Sequence, residues 1–419
     1  MRWLAACLCL GLLAASPAAA ESLQAIIDAA ADGAEIAPPA GVYDGPIRIT
    51  RPVVINGSAG VVIDGNGKGT VVTLESDKAT LKNLTIRNSG RLHNQVDAGL
   101  RIKGSNNVIR DVKVENSLFG IDLTQANDNI LRRNHVTSKD MPLELRGDSI
   151  RLWYSNGNKL ESNVIEDSRD FVVWYSKDNI IKDNRIRRGR YGIHFMYAHV
   201  NHVLDNEIAD CVVGVFLMYS NDIELRRNRI LRSWGASGMG VGFKETSGAV
   251  LTGNAIIGNA TGIYVDTSPW DPEATNEFAD NTIAYNGIGI EFLTDWKNNN
   301  FSRNALLSNF TQVSVKGGGT AKSEGWHGNF WDDFAGFDKD GDGKGDSPYE
   351  IYTYADRLWM DRPYASFFRG GLALAALDFV ERLAPFTEPR LLMSEPAPLY
   401  DMPNSAPAAD AGSLAEVSQ

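Results

Sequence analysis

The segment Gly192-Ile-His194-Phe-Met196-Tyr-Ala-His199-Val-Asn-His202 places three of the chain's six histidines beside a methionine. Neutral imidazole and thioether are the donors that hold Cu(I), a soft ion that needs no carboxylate. Met218 stands one repeat after Met196, and Trp174 one repeat before it, where an indole face could cover a cation. His194, Met196, Met218 and Trp174 are therefore candidate copper residues. His199 and His202 fall in the following turn and strand and are further candidates. The same stripe also reads as a protein-docking surface, and the residues alone leave both readings open.

A second constellation is Asp338-Lys-Asp340-Gly-Asp342-Gly-Lys-Gly-Asp346. Carboxylates at alternate positions, with glycines between them, wrap a hard cation such as Ca²⁺. An EF-hand would place a glutamate at the twelfth position; here Tyr349 occupies it, with Glu350 next. A structural calcium clip held by Asp338, Asp340, Asp342 and Asp346 is expected. Enzymatic chemistry finds less support. A polysaccharide lyase or epimerase needs a base beside cation-binding carboxylates, and a glycoside hydrolase needs two facing carboxylates. Asp122, Asp266 and Glu291 are spread over several repeats, Arg101, Lys103 and Arg151 have no acidic cluster beside them, and Asp-Pro-His-Asp is absent. The expectation is a non-enzyme, with an exported lyase or epimerase as the alternative.

The elements that must position these residues are short and periodic. Asparagine followed two positions later by an aliphatic residue recurs at Asn134, Asn163, Asn184, Asn206, Asn228, Asn254, Asn281 and Asn304, with Asn83 as a degenerate early member. A period of about 22 with short alternating apolar runs describes coils of three strands each. Stacked coils set equivalent side chains about 4.8 Å apart, so the asparagines should bond along the axis as a ladder. The fold class predicted is all-β: a right-handed parallel β-helix of the pectate-lyase type, with a short N-terminal capping helix and a C-terminal helical extension. In the second strand of each coil, Ile193/Phe195, Val215/Leu217 and Val241/Phe243 face inward. Alternation then turns Arg151/Trp153, Val172/Trp174, His194/Met196, Phe216/Met218 and Gly242/Lys244 outward. Tyr154, Tyr175, Tyr197 and Tyr219 close four of these strands.

The chain begins with Arg2, an apolar run from Leu4 to Leu13, and Ala18-Ala19-Ala20, the pattern of a cleaved secretory signal over residues 1–20. Leu4-Ala5-Ala6-Cys7 lies too near the start to be read as a lipid-attachment box. Removal of residues 1–20 leaves Cys211 as the single cysteine, read as a buried filler rather than a thiolate. The predicted organisation continues with the β-helix and its cap over 21–335, the acidic loop and solenoid end over 336–365, an amphipathic helix and docking segment over 366–395, and a disordered tail over 396–419. A formal charge of -11 argues against nucleic acid as a partner.

The Asn-x-Ile coils, the Trp-Tyr and Met-Tyr pairs, His194-Phe-Met196-Tyr197, and Gly328-Asn-Phe-Trp331-Asp332-Asp333 leading into the acidic loop resemble the NosD family. The resemblance covers nearly all the chain after residue 20, through Asp361-Arg-Pro and Pro389-Arg-Leu-Leu-Met393. It implies a periplasmic copper-processing protein of nitrous oxide reductase maturation. Its implied partners are an ABC permease with its ATPase, a copper-chaperone lipoprotein and the reductase itself, with membrane contact only through the transporter. The family supplies no ligand motif to transfer, so the copper residues rest on their chemistry.

Overall fold

The computed structural model describes residues 22–353, 357–368, 371–384 and 388–403. The expected signal segment and the last sixteen residues of the tail lie outside them. The molecule is a right-handed parallel β-helix. One face is a twelve-stranded parallel sheet running from Ile47–Ile49 to Thr311–Val315, and a second sheet of 24 short strands closes the other sides of the coil.

The asparagines form the expected ladder. Each side-chain amide from Asn134 to Asn304 donates to the Oδ1 of the next, at 2.9 Å for Asn134–Asn163 and 3.0 Å for Asn206–Asn228, and each backbone N–H shares that acceptor. Two further ladders accompany it: Asn107 through Asn129, Asn158 and Asn179 to Asn201, and Asn259 through Asn286 to Asn309. Every rung satisfies polar groups that the dry interior would otherwise leave unpaired. Inside the coils Phe278 stacks on Phe301 at 4.4 Å, and Phe301 on Trp326 at 4.6 Å.

Both ends are closed. The helix Leu23–Ala29 starts at Ser22, whose hydroxyl accepts from the Ala25 N–H, and it buries Leu23 and Ile27 over the first coil. At the far end the parallel strands stop at Phe330–Trp331. Tyr349–Thr353 then pairs antiparallel with Arg390–Glu395. Buried Glu395 ends the long ladder, accepting from the Asn329 N–H at 2.6 Å and the Trp331 indole at 2.7 Å. The tail expected to be disordered from residue 396 is pinned over its first residues, because Leu399 donates to the Asn329 carbonyl and Tyr400 to that of Gly343. The C-terminal helix is confined to Leu372–Leu383, after a 3-10 turn over Pro363–Phe368. Phe367, Phe368, Leu372, Phe379 and Leu383 are exposed on this segment. Among the described residues no helix is long and apolar enough to cross a membrane.

Candidate functional site

The outward face of the twelve-stranded sheet is centred on four strands: Asp170–Trp174, Tyr191–Met196, Val213–Met218 and Met239–Lys244. Their register aligns Trp174, Met196, Met218 and Lys244 in one column, and Val172, His194, Phe216 and Gly242 in the column beside it. The last three strands carry a glycine as their second residue, and the chain bends there: Tyr191 to His194 spans one residue more than Asp170 to Val172 opposite it. A Cβ on Gly192 or Gly214 would lie 2.5 Å from the next coil's carbonyl oxygen, and one on Gly240 2.7 Å away, so only glycine fits. In two of these strands the residue before the glycine lies over the outward position three residues later, the Met239 sulfur over Gly242 and Tyr191 over His194. Tyr191 thus stacks on His194 at 4.6 Å.

His194 is 7% exposed and boxed by three rings: Tyr191, Trp174 edge-on at 5.9 Å and Phe216 edge-on at 6.1 Å. Burial pushes its imidazole down to about 4, against opposing attraction from Asp170, so it is neutral at ordinary pH. Both ring nitrogens are buried without a hydrogen-bond partner, and so is the Trp174 Nε1. Buried polar atoms are nearly always bonded, and two neighbouring side chains left unsatisfied are a costly exception. A neutral imidazole nitrogen with no proton donor on its lone pair is free for a soft metal.

Met196 and Met218 lie side by side at the same face, each partly exposed. Trp153 and Trp174 continue the column below them, 5.8 Å apart. At its edge Tyr154, Tyr175, Tyr197 and Tyr219 stack at 4.9, 5.4 and 4.9 Å, each with a left-handed φ between +48° and +51°. Lys244, held 3.8 Å from Asp266, ends the methionine column. His194, Met196, Met218 and Trp174 therefore come together. His199 and His202 do not. The His199 ring accepts from the Asn221 N–H at 3.0 Å in a turn, and His202 lies on a strand of the other sheet, 2.6 Å from Glu224. The strand leaves the face after Tyr197, which carries both histidines away.

Three other expectations change. Arg101 and Arg151 do have an acidic neighbour: Asp122 is buried between them at 2.9 and 3.0 Å, because the three share one register position. Val172, an outward position, is fully buried between Arg151 and His194 of the adjoining coils. Glu291 is buried and ion-paired with Lys316 at 3.2 Å, and the Lys316 ammonium lies 5.3 Å from the Tyr264 ring centre. Glu291 and Lys316 line a cleft of about 670 Å³ with Trp234, Trp359 and Met360. Cys211 is buried, and desolvation pushes its thiol up to about 12, which makes it inert. Sequence reasoning missed Tyr191 and Met239, because strict alternation ignores the bend. The glycine recurring beside them at 192, 214 and 240 is the signal that could have found it.

In the acidic loop, carboxylate oxygens of Asp338, Asp340 and Asp342 lie within 4.8 Å of one another. Asp346 is not in that group; it accepts from the Lys339 N–H at 2.6 Å. All four carry oxygen donors only, which suits a hard cation.

Fold and face together define a β-solenoid with a neutral, soft-donor surface, stacked coil on coil and bordered by tyrosines. A family model described as "Periplasmic copper-binding protein (NosD)" matches residues 133–336. The chain is 29% identical over 407 residues to the "Probable ABC transporter binding protein NosD" of Pseudomonas aeruginosa, covering 88% of each chain. It is 24% identical over 372 residues to the protein of the same description from Stutzerimonas stutzeri, covering 83% of this chain and 82% of that one. The chain is thus similar to NosD proteins over most of its length. Among solved structures it is similar to the Azotobacter vinelandii mannuronan C-5 epimerase AlgE6 A-module, with a TM-score of 0.58 and 18% identity over 73% of this chain and 93% of that one. That likeness is one of fold.

Proposed function

We propose that the outward face is a transit site for Cu(I), built from His194, Met196 and Met218 with Trp174 beside them. On this reading the protein works in the periplasm with an ABC transporter and supports assembly of the copper centres of nitrous oxide reductase. It takes copper from a lipoprotein chaperone and passes it on, without catalysing a reaction of its own. The observation that carries the reading is the neutral, buried His194 imidazole, unbonded at both nitrogens and in register with two thioethers. Cu(I) accepts such donors, and uncharged ligands hold it reversibly, as a hand-over requires. The family description and the names of the relatives support the same direction.

The test is a Met196→Leu/Met218→Leu variant, which keeps apolar area and nearly the same volume. It should lose Cu(I) to a competing chelator that wild type resists, yet keep its melting temperature. Unchanged copper retention would sink the site. A second reading is favoured by one observation: the cleft beside Glu291, Lys316 and Tyr264 offers an acid and a base on the face where an exported lyase or epimerase would hold its polysaccharide. Incubation with polyuronates separates the two, since only this second reading expects new unsaturated ends or epimerised residues.

A further inference from the structure

One peptide group of the coil that carries His194 departs from the pattern of the coils beyond it. There the strand-opening N–H donates to a backbone carbonyl of the coil below: Val213 to Arg190 at 2.8 Å, and Thr261 to Gly238 at 3.1 Å. The Tyr191 N–H donates instead to a side chain, the Asp170 Oδ1 at 3.2 Å. The Arg169 carbonyl that would serve it already accepts from the Arg190 N–H at 2.7 Å. The cause is the register shift, which sets one extra residue between Tyr191 and His194 relative to Asp170 and Val172. Asp170 is buried, and Arg190 grips the same carboxylate at two points, with Nε on Oδ1 at 3.0 Å and Nη2 on Oδ2. Such a fork fixes geometry as well as charge. The guanidinium carbon lies 5.0 Å from the centre of the Tyr191 ring, and that ring stacks on the imidazole at 4.6 Å. Backbone and ring of Tyr191 are thus both held by the one ion pair.

We propose that Asp170 and Arg190 are positioning residues of the Cu(I) site, which hold the His194 imidazole in place through Tyr191. The proposal rests on the Cu(I) reading above and adds what supports its one nitrogen donor. A histidine that binds a metal is normally oriented by a hydrogen bond at its other ring nitrogen. Among the described residues His194 has no such bond at either nitrogen. Its plane therefore rests on ring contacts. Of its three neighbours only Tyr191 lies near-parallel to it, at 23°, while Trp174 and Phe216 stand steeply at 86° and 69°. The stacked tyrosine takes the part that a hydrogen bond plays elsewhere, and it can do so only if it is itself fixed. A carboxylate on its N–H and a guanidinium beside its ring supply that fixing. An ion pair that served the register shift alone would need the carboxylate but not the ring contact. The Arg190 side chain is nearly half exposed, so it can be replaced without opening the core.

The experiment uses the full chain without residues 1–20, loaded with Cu(I) alone. Competition with a chromophoric Cu(I) chelator gives the affinity, and X-ray absorption at the copper edge counts imidazole and sulfur ligands. Arg190→Gln should bind Cu(I) about tenfold more weakly, with the imidazole gone from the spectrum and the sulfurs kept. Tyr191→Leu should do the same, whereas Tyr191→Phe keeps the ring and should bind like wild type. In Arg190→Gln/Tyr191→Leu the loss should equal that of Tyr191→Leu alone, because the arginine acts through the ring. Losses that add, or an Arg190→Gln protein with wild-type affinity and imidazole count, overturn the proposal, since the pair would then serve only the fold. Should Arg190→Gln fail to fold, Arg190→Lys takes its place in the cycle; it leaves a charge beside Asp170 but cannot grip it at two points. Failure of the parent reading looks different, because there Met196→Leu/Met218→Leu would itself leave Cu(I) binding intact.

Discussion

His194→Phe should make the metal-free protein more stable while abolishing its copper binding. The substitution keeps a ring against Tyr191, Trp174 and Phe216 and removes two buried nitrogens that bond to nothing. A buried donor or acceptor left unsatisfied costs about 1–3 kcal/mol, and a neutral imidazole carries one of each. The extra ring volume of phenylalanine returns roughly 1 kcal/mol of that as crowding. The net gain is about 1–5 kcal/mol, dominated by the orphaned nitrogens. Unfolding entropy per residue converts this to a melting point about 1–6 °C higher for a chain of this size. Calorimetry with a copper chelator present reads the first effect. Adding Cu(I) reads the second: wild type should gain stability by mass action, and the variant should not. A variant that melts several degrees below wild type in the chelator would refute the argument, since the imidazole would then be bonded and its box not strained. Function at this site would in that case cost the fold nothing, contrary to the trade-off expected of strained binding sites.

Glu324 accepts from the Asn299 N–H with one oxygen and leaves the other unbonded; burial, opposed by those bonds, pushes its carboxyl up to about 7. Because the folded state holds that proton more tightly, the stability it contributes is complete below pH 4.5 and is lost as pH rises through about 7. Glu324→Gln should therefore match wild type near pH 4 and exceed it by on the order of 3 kcal/mol at pH 8, read as a shift in urea midpoint; equal midpoints at pH 8 would contradict it. Ca²⁺ should raise the melting temperature of wild type and leave Asp340→Ala/Asp342→Ala unmoved, and a wild type indifferent to both calcium and chelator would end the calcium proposal. Phe367→Ser/Phe379→Ser should abolish co-purification with the ABC transporter without altering the fold. Retained binding would move the docking surface off the C-terminal helix.

Much of this architecture was legible because a solenoid writes its geometry into a period. Asn134 to Asn304 announced the ladder, and the inward pairs of the second strand fixed which side chains had to face out. The expected solenoid bound at 335 falls four residues beyond the last parallel strand, Phe330–Trp331, and the capping helix follows from a different signal, the helical spacing of Leu23, Ile26, Ile27 and Ala30. What escaped was whatever the period does not encode. Glu395 meets Asn329 across 66 residues, so no local signal could mark it as the acceptor that ends the ladder. Asp122 was counted as an isolated carboxylate because its partners, Arg101 and Arg151, are a coil away on either side. His199 and His202 looked like neighbours of His194 in sequence, but the turn after Tyr197 sends them to another face. Tyr191 and Met239 needed the glycine bend, which strict alternation leaves out.

The arrangement of donors explains why such a face would pass an ion outward rather than along itself. On the Cu(I) reading the donors are all neutral, and they occupy a short stretch of a long column. Below them the Arg151 guanidinium lies over the Trp153 ring at 4.8 Å, and above them stands Lys244. Both are ion-paired, Arg151 with Asp122 at 3.0 Å and Lys244 with Asp266 at 3.8 Å, so beyond the methionines the column offers a soft ion hard, already satisfied groups. The interior is closed by packed aliphatics and by ladders that hold every coil in register. Only the outward direction remains, across the exposed edge formed by Tyr154 and Tyr197. Methionine side chains can follow an ion there because three rotatable bonds let the sulfur move while the backbone stays. On this reading, a rigid scaffold with flexible neutral donors, bounded by ion pairs, favours release to whatever protein is docked against that face.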